Sequence, residues 1–140
     1  MKIFELPSEH GHLRGAIWDN VENPKGTIQI AHGLVEYHDR YDEFAKFLNE
    51  HGYIVYCNDH LGHGLHVKKG ELKGYFADEN GYEAVVDQLA EMNSVIRKAH
   101  PSLNHFFIGH SLGTALGLSF LKRNISFEAV ILSAPFTNHD

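Results

Sequence analysis

Phe106-Phe107-Ile108-Gly109-His110-Ser111-Leu112-Gly113 runs from a short apolar segment through a serine flanked by glycines into Leu112 to Lys122, a stretch apolar on nearly every side. The first part predicts a buried strand, and the last predicts a helix covered by neighbours on more than one face. Between them Gly-x-Ser-x-Gly sits at a strand-to-helix turn, the context that gives this pattern its meaning. A serine in so tight a turn is forced into a strained backbone conformation, and the residues two before and two after it must be small because the backbone passes close to them. Gly109 and Gly113 satisfy that demand. The hydroxyl then stands at a helix N-terminus, where unpaired N–H groups and the positive dipole end favour developing negative charge. Ser111 is therefore the candidate nucleophile. A serine that merely caps the helix is the alternative reading of the same residues.

Working back from this unit, strands alternate with helices. Ile3–Leu6 and Leu13–Trp18 are apolar runs joined by a polar, glycine-containing break, the pattern of a hairpin. Asn23-Pro24-Lys25-Gly26 is a turn, after which Thr27–Ala31 reads as a strand ending at His32-Gly33. Tyr41, Phe44, Ala45 and Leu48 share one helical face, with Gly52 able to end that helix left-handed. Tyr53–Asn58 is a continuous apolar strand, and Asp59–Gly74 is a long glycine- and histidine-rich loop. Tyr82, Val85, Leu89, Met92 and Ile96 define a long helix that Pro101 must terminate, and Phe127–Leu132 reads as a further buried strand. Such alternation implies an α/β fold: a mostly parallel sheet with helices on both faces, residues 1–140 forming part of one domain. Ligands bind beyond the carboxyl ends of such strands, which directs attention to the segments after Ala31, Asn58, Ile108 and Leu132.

Composition narrows the function classes. The chain has 140 residues, 43% of them hydrophobic, and a net charge of −6 with its histidines neutral. Twelve basic residues face eighteen acidic ones with no basic stripe, so nucleic acid is excluded as an expected partner. Nothing approaches the ~20 apolar residues of a membrane span, and the first ten residues hold no signal-like apolar run. The lone Cys57 lies in a strand and points to packing in a reducing compartment. A cytoplasmic location is the expectation.

An acyl-transfer nucleophile needs a pocket for the negative oxygen of its tetrahedral intermediate, built from N–H donors on two segments. The N–H of Leu112, directly after the serine, is one candidate, and the N–H of Leu34 in His32-Gly33-Leu34, at the end of an earlier strand, is the other. Their leucine side chains matter only as shape.

Taken together, His32-Gly33-Leu34-Val35-Glu36-Tyr37-His38-Asp39-Arg40-Tyr41, Asp59-His60-Leu61-Gly62-His63-Gly64, Gly109-His110-Ser111-Leu112-Gly113 and Leu132-Ser133-Ala134-Pro135 resemble the successive signatures of the monoacylglycerol lipase and lysophospholipase group of α/β-hydrolases. The resemblance runs from about Gly26 to Pro135. It implies a Ser-His-Asp hydrolase with no metal or organic cofactor, acting on a small acyl ester through an acyl-serine intermediate, with Leu34 and Leu112 donating to the oxyanion. The chain departs from the pattern at Val35, where a glycine is common, at Thr114, usually another glycine, and at Leu65-His66, where an arginine or serine often follows.

In this fold the triad acid and base follow the serine. After Ser111 the chain offers only His139, Glu128 and Asp140, all in or just past the last predicted strand, and neither role is assigned to them. The expectation is that 140 residues represent about half of a functional domain, without the cap and the last strands, and are nearly inactive alone. Val130–Leu132 is then an uncovered apolar edge. A second polypeptide carrying the C-terminal half, a cut chain or an incomplete sequence all fit that expectation. Peptide cleavage at a free N-terminus or acyl transfer on the same fold, and a non-catalytic partner-binding half, are the competing functions.

Two further features are weighed. His60, His63 and His66 lie three apart, but Gly62 and Gly64 between them argue for a loop at the mouth of the acyl site before a metal site. Glu36 and Arg40 can pair across a helical turn to hold the oxyanion loop, and His110 is read as a pocket or packing residue.

Overall fold

The computed structural model describes residues 1–67 and 72–136. Strands β1 (Lys2–Ser8) and β2 (Gly11–Trp18) open the chain, followed by β3 (Gly26–Ala31), α1 (Asp42–Glu50), β4 (Tyr53–Asn58), α2 (Gly81–Ala99), β5 (Asn104–His110), α3 (Leu112–Leu121) and β6 (Ala129–Ser133). They form one six-stranded sheet in the order β1-β2-β4-β3-β5-β6. The pairs β1–β2 and β2–β4 are antiparallel, and β4, β3, β5 and β6 run parallel.

Side-chain alternation along the strands loads both faces. Ile28 and Ile30 of β3 and Val55 and Cys57 of β4 pack with Trp18, Tyr41 and Ala45 on the α1 side. Ile54 and Tyr56 face Met92 and Ile96 of α2, and Phe107 meets Val85, Leu89, Leu116 and Phe120 on the same side. Because apolar side chains leave both surfaces, the parallel strands read as unbroken hydrophobic runs and need helices on either side. The helix α2 ends as its proline neighbour requires: the His100 N–H closes the last turn on the Ile96 carbonyl, and Pro101 follows.

Two sequence expectations are corrected. Phe44 does not join the buried face of the first helix; it is exposed and stacks on Phe47, because Tyr41 lies in a short 3₁₀ turn before α1 and shifts the register of the buried face. The last strand begins at Ala129, two residues later than predicted, and it is not buried. Phe127 is drawn into the cluster around Phe107 and Phe120, so pairing starts only when the Glu128 N–H reaches the His105 carbonyl. Beyond it β6 pairs with β5 alone, leaving Ile131 58% exposed on the apolar edge that was expected.

The contact between α3 and β3 is made by backbone. A Cβ on Gly113 would lie 2.0 Å from the Ala31 carbonyl oxygen, so only glycine lets the start of α3 sit on the end of β3. Gly113→Ala is expected to destabilise the chain by about 1–3 kcal/mol, since backbone on both sides must move to admit one methyl. A urea titration of the two proteins checks this.

Candidate active site

Three loops meet at the carboxyl ends of β3, β4 and β5. Ser111 stands between β5 and α3 with φ 51° and ψ −116°, a region that side chains other than glycine rarely occupy. Holding a residue there costs roughly 1–3 kcal/mol and persists only where the surroundings over-determine it. Here they do: the Ser111 N–H donates to the Ser133 carbonyl at 3.0 Å, while the Ser111 carbonyl accepts from the Thr114 N–H at 2.8 Å and the Thr114 hydroxyl at 2.7 Å. Gly109 and Gly113 close the turn, since a Cβ on Gly109 would come within 2.6 Å of the Gly113 carbonyl oxygen. The serine remains partly exposed, and α3 begins at the next residue, so the Leu112 N–H belongs to the first turn, whose donors lack partners within the helix.

Thr114 stood out in the sequence only as a departure from the family pattern, with no role attached. Its side chain is buried, and besides holding the Ser111 carbonyl its hydroxyl accepts the Phe136 N–H at 2.7 Å. A glycine at this position could make neither side-chain bond. His110 points to β6, where Nδ1 meets the Ser133 hydroxyl at 3.1 Å, consistent with a packing role.

The loop after β3 lies directly against the serine: a Cβ on Gly33 would sit 3.3 Å from the Ser111 Cβ. Leu34 is exposed in the turn that follows. Two side chains pin the Gly33 peptide groups. The His32 Nδ1–H donates to the Gly33 carbonyl at 2.7 Å, and the Glu36 carboxylate accepts the Gly33 N–H at 2.6 Å. In a trans peptide the C=O and the following N–H point in opposite directions, so fixing the Gly33 carbonyl toward His32 turns the Leu34 N–H away from it. Glu36 also accepts the Tyr41 hydroxyl at 2.5 Å and pairs with Arg40 at 3.0 Å, the interaction expected from the spacing. Burial and the Glu36 charge push the Tyr41 hydroxyl well above its ordinary range, which keeps it a donor.

Val35 departs most from local rules. It has φ 55° and is 86% exposed, a β-branched side chain in the left-handed region with almost no packing to compensate. Val35→Gly is expected to raise stability by about 0.5–1 kcal/mol, the relief of left-handed strain exceeding the backbone entropy a glycine adds to the unfolded chain. The midpoint of chemical unfolding tests it.

Behind this loop is a buried histidine cluster. His32 and His60 stack with ring centroids 3.8 Å apart, and His63 lies 5.4 Å from His32. The His60 N–H donates to His32 Nε2 at 2.9 Å, and His60 Nε2–H donates to the His32 carbonyl at 2.8 Å. These bonds set the tautomer of each ring, and burial lowers His32 to about 3 and His60 well below its ordinary value, so both rings are neutral. His63 and His66 follow in the glycine-bearing loop, with Gly62 and Gly64 at positive φ, as the loop reading had it. Among the described residues the one group of potential ligands within metal-binding distance of each other is Glu9, His10 and Asp87, far from this loop in sequence, and there Asp87 already binds His10 and Arg123.

Asp59, fully buried, ties the loops after β3 and β4 together. Its carboxylate accepts the His38 N–H at 2.9 Å, His38 Nδ1–H at 2.9 Å and the Leu65 N–H at 3.0 Å. Gly64 is packed so closely that a Cβ there would meet the Asp59 Oδ2 at 2.3 Å. Neither His38 nor Asp59 stood out singly in the sequence; the cue was their membership of two polar blocks at the ends of adjacent strands. His139 and Asp140 lie outside the described residues.

Residues 22–140 match the family model described as Serine aminopeptidase, S33. The chain belongs to this hydrolase family. Among similar proteins, a monoglyceride lipase homolog of Monkeypox virus is 32% identical over 139 residues, covering 99% of this chain and 48% of that protein. Monoglyceride lipase of Rattus norvegicus is 30% identical over 119 residues, covering 84% of this chain and 37% of the relative. The chain thus spans about half, or less, of the length of the relatives it matches. Of solved structures, a soluble variant of monoglyceride lipase from Saccharomyces cerevisiae aligns with a TM-score of 0.81 at 22% identity, over 96% of this chain and 45% of that one. A carboxyl esterase from Bacillus coagulans aligns with a TM-score of 0.84 at 24% identity, over 94% and 43%. The fold is therefore that of the α/β-hydrolases. No helix among the described residues is long and apolar enough to cross a membrane.

Proposed function

We propose that this chain is the nucleophile-bearing part of a serine ester hydrolase that cleaves a small lipid-like carboxylic ester, a monoacylglycerol or lysophospholipid, through an acyl-serine intermediate. Ser111 attacks the acyl carbon, and the N–H groups of Leu34 and Leu112 receive the negative oxygen. The observation that carries the reading is the strained Ser111 backbone, held at φ 51° by three hydrogen-bonding groups at the head of α3 with Gly33 packed against its side chain. Strain of this kind, at the mouth of a helix and beside a second loop, suits a hydroxyl aimed at substrate.

Deacylation and nucleophile activation need an acid and a base, for which the described residues near Ser111 supply no assigned candidate. The relatives named monoglyceride lipase and monoglyceride lipase homolog are longer single chains, which gives no support to a separate second polypeptide. A fluorophosphonate probe, applied to the native polypeptide with whatever residues follow Asp140, tests the proposal. Covalent label on the peptide containing Ser111, lost in Ser111→Ala, together with release of fatty acid from 1-monoacylglycerol, is the expected result. A folded, complete protein in which Ser111 stays unlabelled overturns it. The family's description favours one second reading, cleavage at a free peptide N-terminus. Turnover of aminoacyl nitroanilides without turnover of acyl esters decides for that activity.

A further inference from the structure

Thr114 lies in the first turn of α3, and a threonine that bonded only to its own helix would be an ordinary back-bonding residue. This one also bonds outside the helix. Its side chain is fully buried, and the single oxygen makes two bonds: the hydroxyl donates to the Ser111 carbonyl at 2.7 Å and accepts the Phe136 N–H at 2.7 Å. A hydroxyl has one proton to give, so the first bond fixes the rotor and turns the acceptor side toward Phe136. Each bond then polarises the other. Phe136 belongs to the turn after β6, 22 residues away in sequence. That turn meets the serine bend at two more points: the Ser133 carbonyl accepts the Ser111 N–H at 3.0 Å, and the Ser133 hydroxyl meets His110 Nδ1 at 3.1 Å. Ala134, between these contacts, is held at φ 49°, left-handed without being glycine, and Pro135 follows with its φ fixed by the ring. Residues 133–136 therefore hold the peptide groups on both sides of Ser111, one directly and one through Thr114.

In a trans peptide the C=O and the N–H point in opposite directions, so the direction of the Ser111 carbonyl decides that of the Leu112 N–H. We propose that Thr114 is a positioning residue: anchored by the Phe136 N–H, its hydroxyl orients the Ser111–Leu112 peptide and so aims the Leu112 N–H at the oxyanion. The inference rests on the hydrolase reading above and adds to it a residue that touches neither the substrate nor the reacting atoms. Within the helix the Ser111 carbonyl has one donor, the Thr114 N–H at 2.8 Å; the hydroxyl supplies a second whose own position is set from β6. An oxyanion donor is effective to the degree that its direction is fixed before charge develops, and this bond fixes it.

The test uses the native polypeptide with whatever residues follow Asp140. Thr114→Val keeps nearly the same shape and removes both side-chain bonds, whereas Thr114→Ser keeps both. The rate at which a fluorophosphonate labels Ser111 should fall roughly tenfold in Thr114→Val, because the phosphoryl oxygen gains negative charge as the serine attacks. For 1-monoacylglycerol, kcat should fall by a similar factor with KM held within about twofold, the signature of an interaction made only in the transition state. Thr114→Ser should restore both rates. Phe136→Pro cuts the same link from the other side, and serves if Thr114→Val does not fold: it deletes the N–H, and should label roughly tenfold more slowly than Phe136→Ala, which retains it. A threonine that only stabilised the fold would lower the urea midpoint of Thr114→Val and leave labelling and kcat of the folded protein unchanged. That result, or an equal loss of rate in Thr114→Ser, overturns the inference and leaves the hydrolase reading standing on the labelled wild type. A wild type that does not label overturns the hydrolase reading and this inference with it.

Discussion

Asp59→Ala should destabilise the chain by about 3–5 kcal/mol, because several buried N–H donors lose their shared acceptor at once. The side chain is wholly buried, and three N–H groups, from His38 backbone, His38 ring and Leu65 backbone, end on its two oxygens. Alanine leaves all three donors without an acceptor in a region closed to water, and each stranded donor costs about 1–3 kcal/mol before any relaxation. Asp59→Asn keeps the shape and one acceptor oxygen, so it should fall between wild type and alanine. The damage should also be local: His38 and Leu65 belong to different loops, and their amide exchange should speed up more than that of the α2 core. Urea unfolding of the three proteins gives the magnitudes, and hydrogen exchange gives the location. A loss below about 1 kcal/mol for Asp59→Ala would show that the loops are held by something other than this carboxylate.

Acidification is the second large effect. His32 titrates at about 3 when folded and His60 well below its ordinary value, in both cases chiefly because burial disfavours the charged ring. An unfolded histidine titrates near 6.5, so between that pH and the folded value the unfolded chain binds protons that the folded chain refuses. Stability from these two rings is therefore complete above about pH 7 and falls as pH drops through 6.5, by up to about 1.4 kcal/mol per unit for each histidine. At pH 5 His32 alone should cost about 2 kcal/mol, with His60 adding loss in the same direction. Asp42 and Asp87, both held below the usual carboxylate range by bonded cations and donors, add loss in the same direction only below about pH 4. Thermal midpoints at pH 7.5, 6 and 5 measure the slope. His32 also fixes the Gly33 carbonyl, so the loop after β3 should loosen in the same window, visible as line broadening of the Leu34 amide. A flat profile between pH 7.5 and 5 would mean that the rings are hydrated in the folded chain.

The elements themselves were legible in the sequence because they are written in short-range rules. The strand run Thr27–Ala31 between a turn and His32-Gly33, the three-and-four spacing of Val85, Leu89, Met92 and Ile96, and the glycines around Ser111 each depend on residues within a few positions, and the structure keeps all of them. The reading slipped in two places: a long-range contact drew Phe127 from the last strand into an aromatic cluster with Phe107 and Phe120, and a local 3₁₀ turn ahead of α1 left Phe44 in solvent.

By itself, then, the sequence determined an alternating α/β chain, a glycine-flanked serine at a strand-to-helix turn, and a second loop able to face it. Only the tertiary structure decided how that second loop is held. The partners that do so lie 28 residues apart in His32 and His60, and 21 apart in His38 and Asp59. Periodicity carries no information about which strands become neighbours; the order β4-β3-β5 brings these ends together, and there His32, His38, Asp59 and His60 find partners across segments, while His60 Nδ1 is left without one among the described residues.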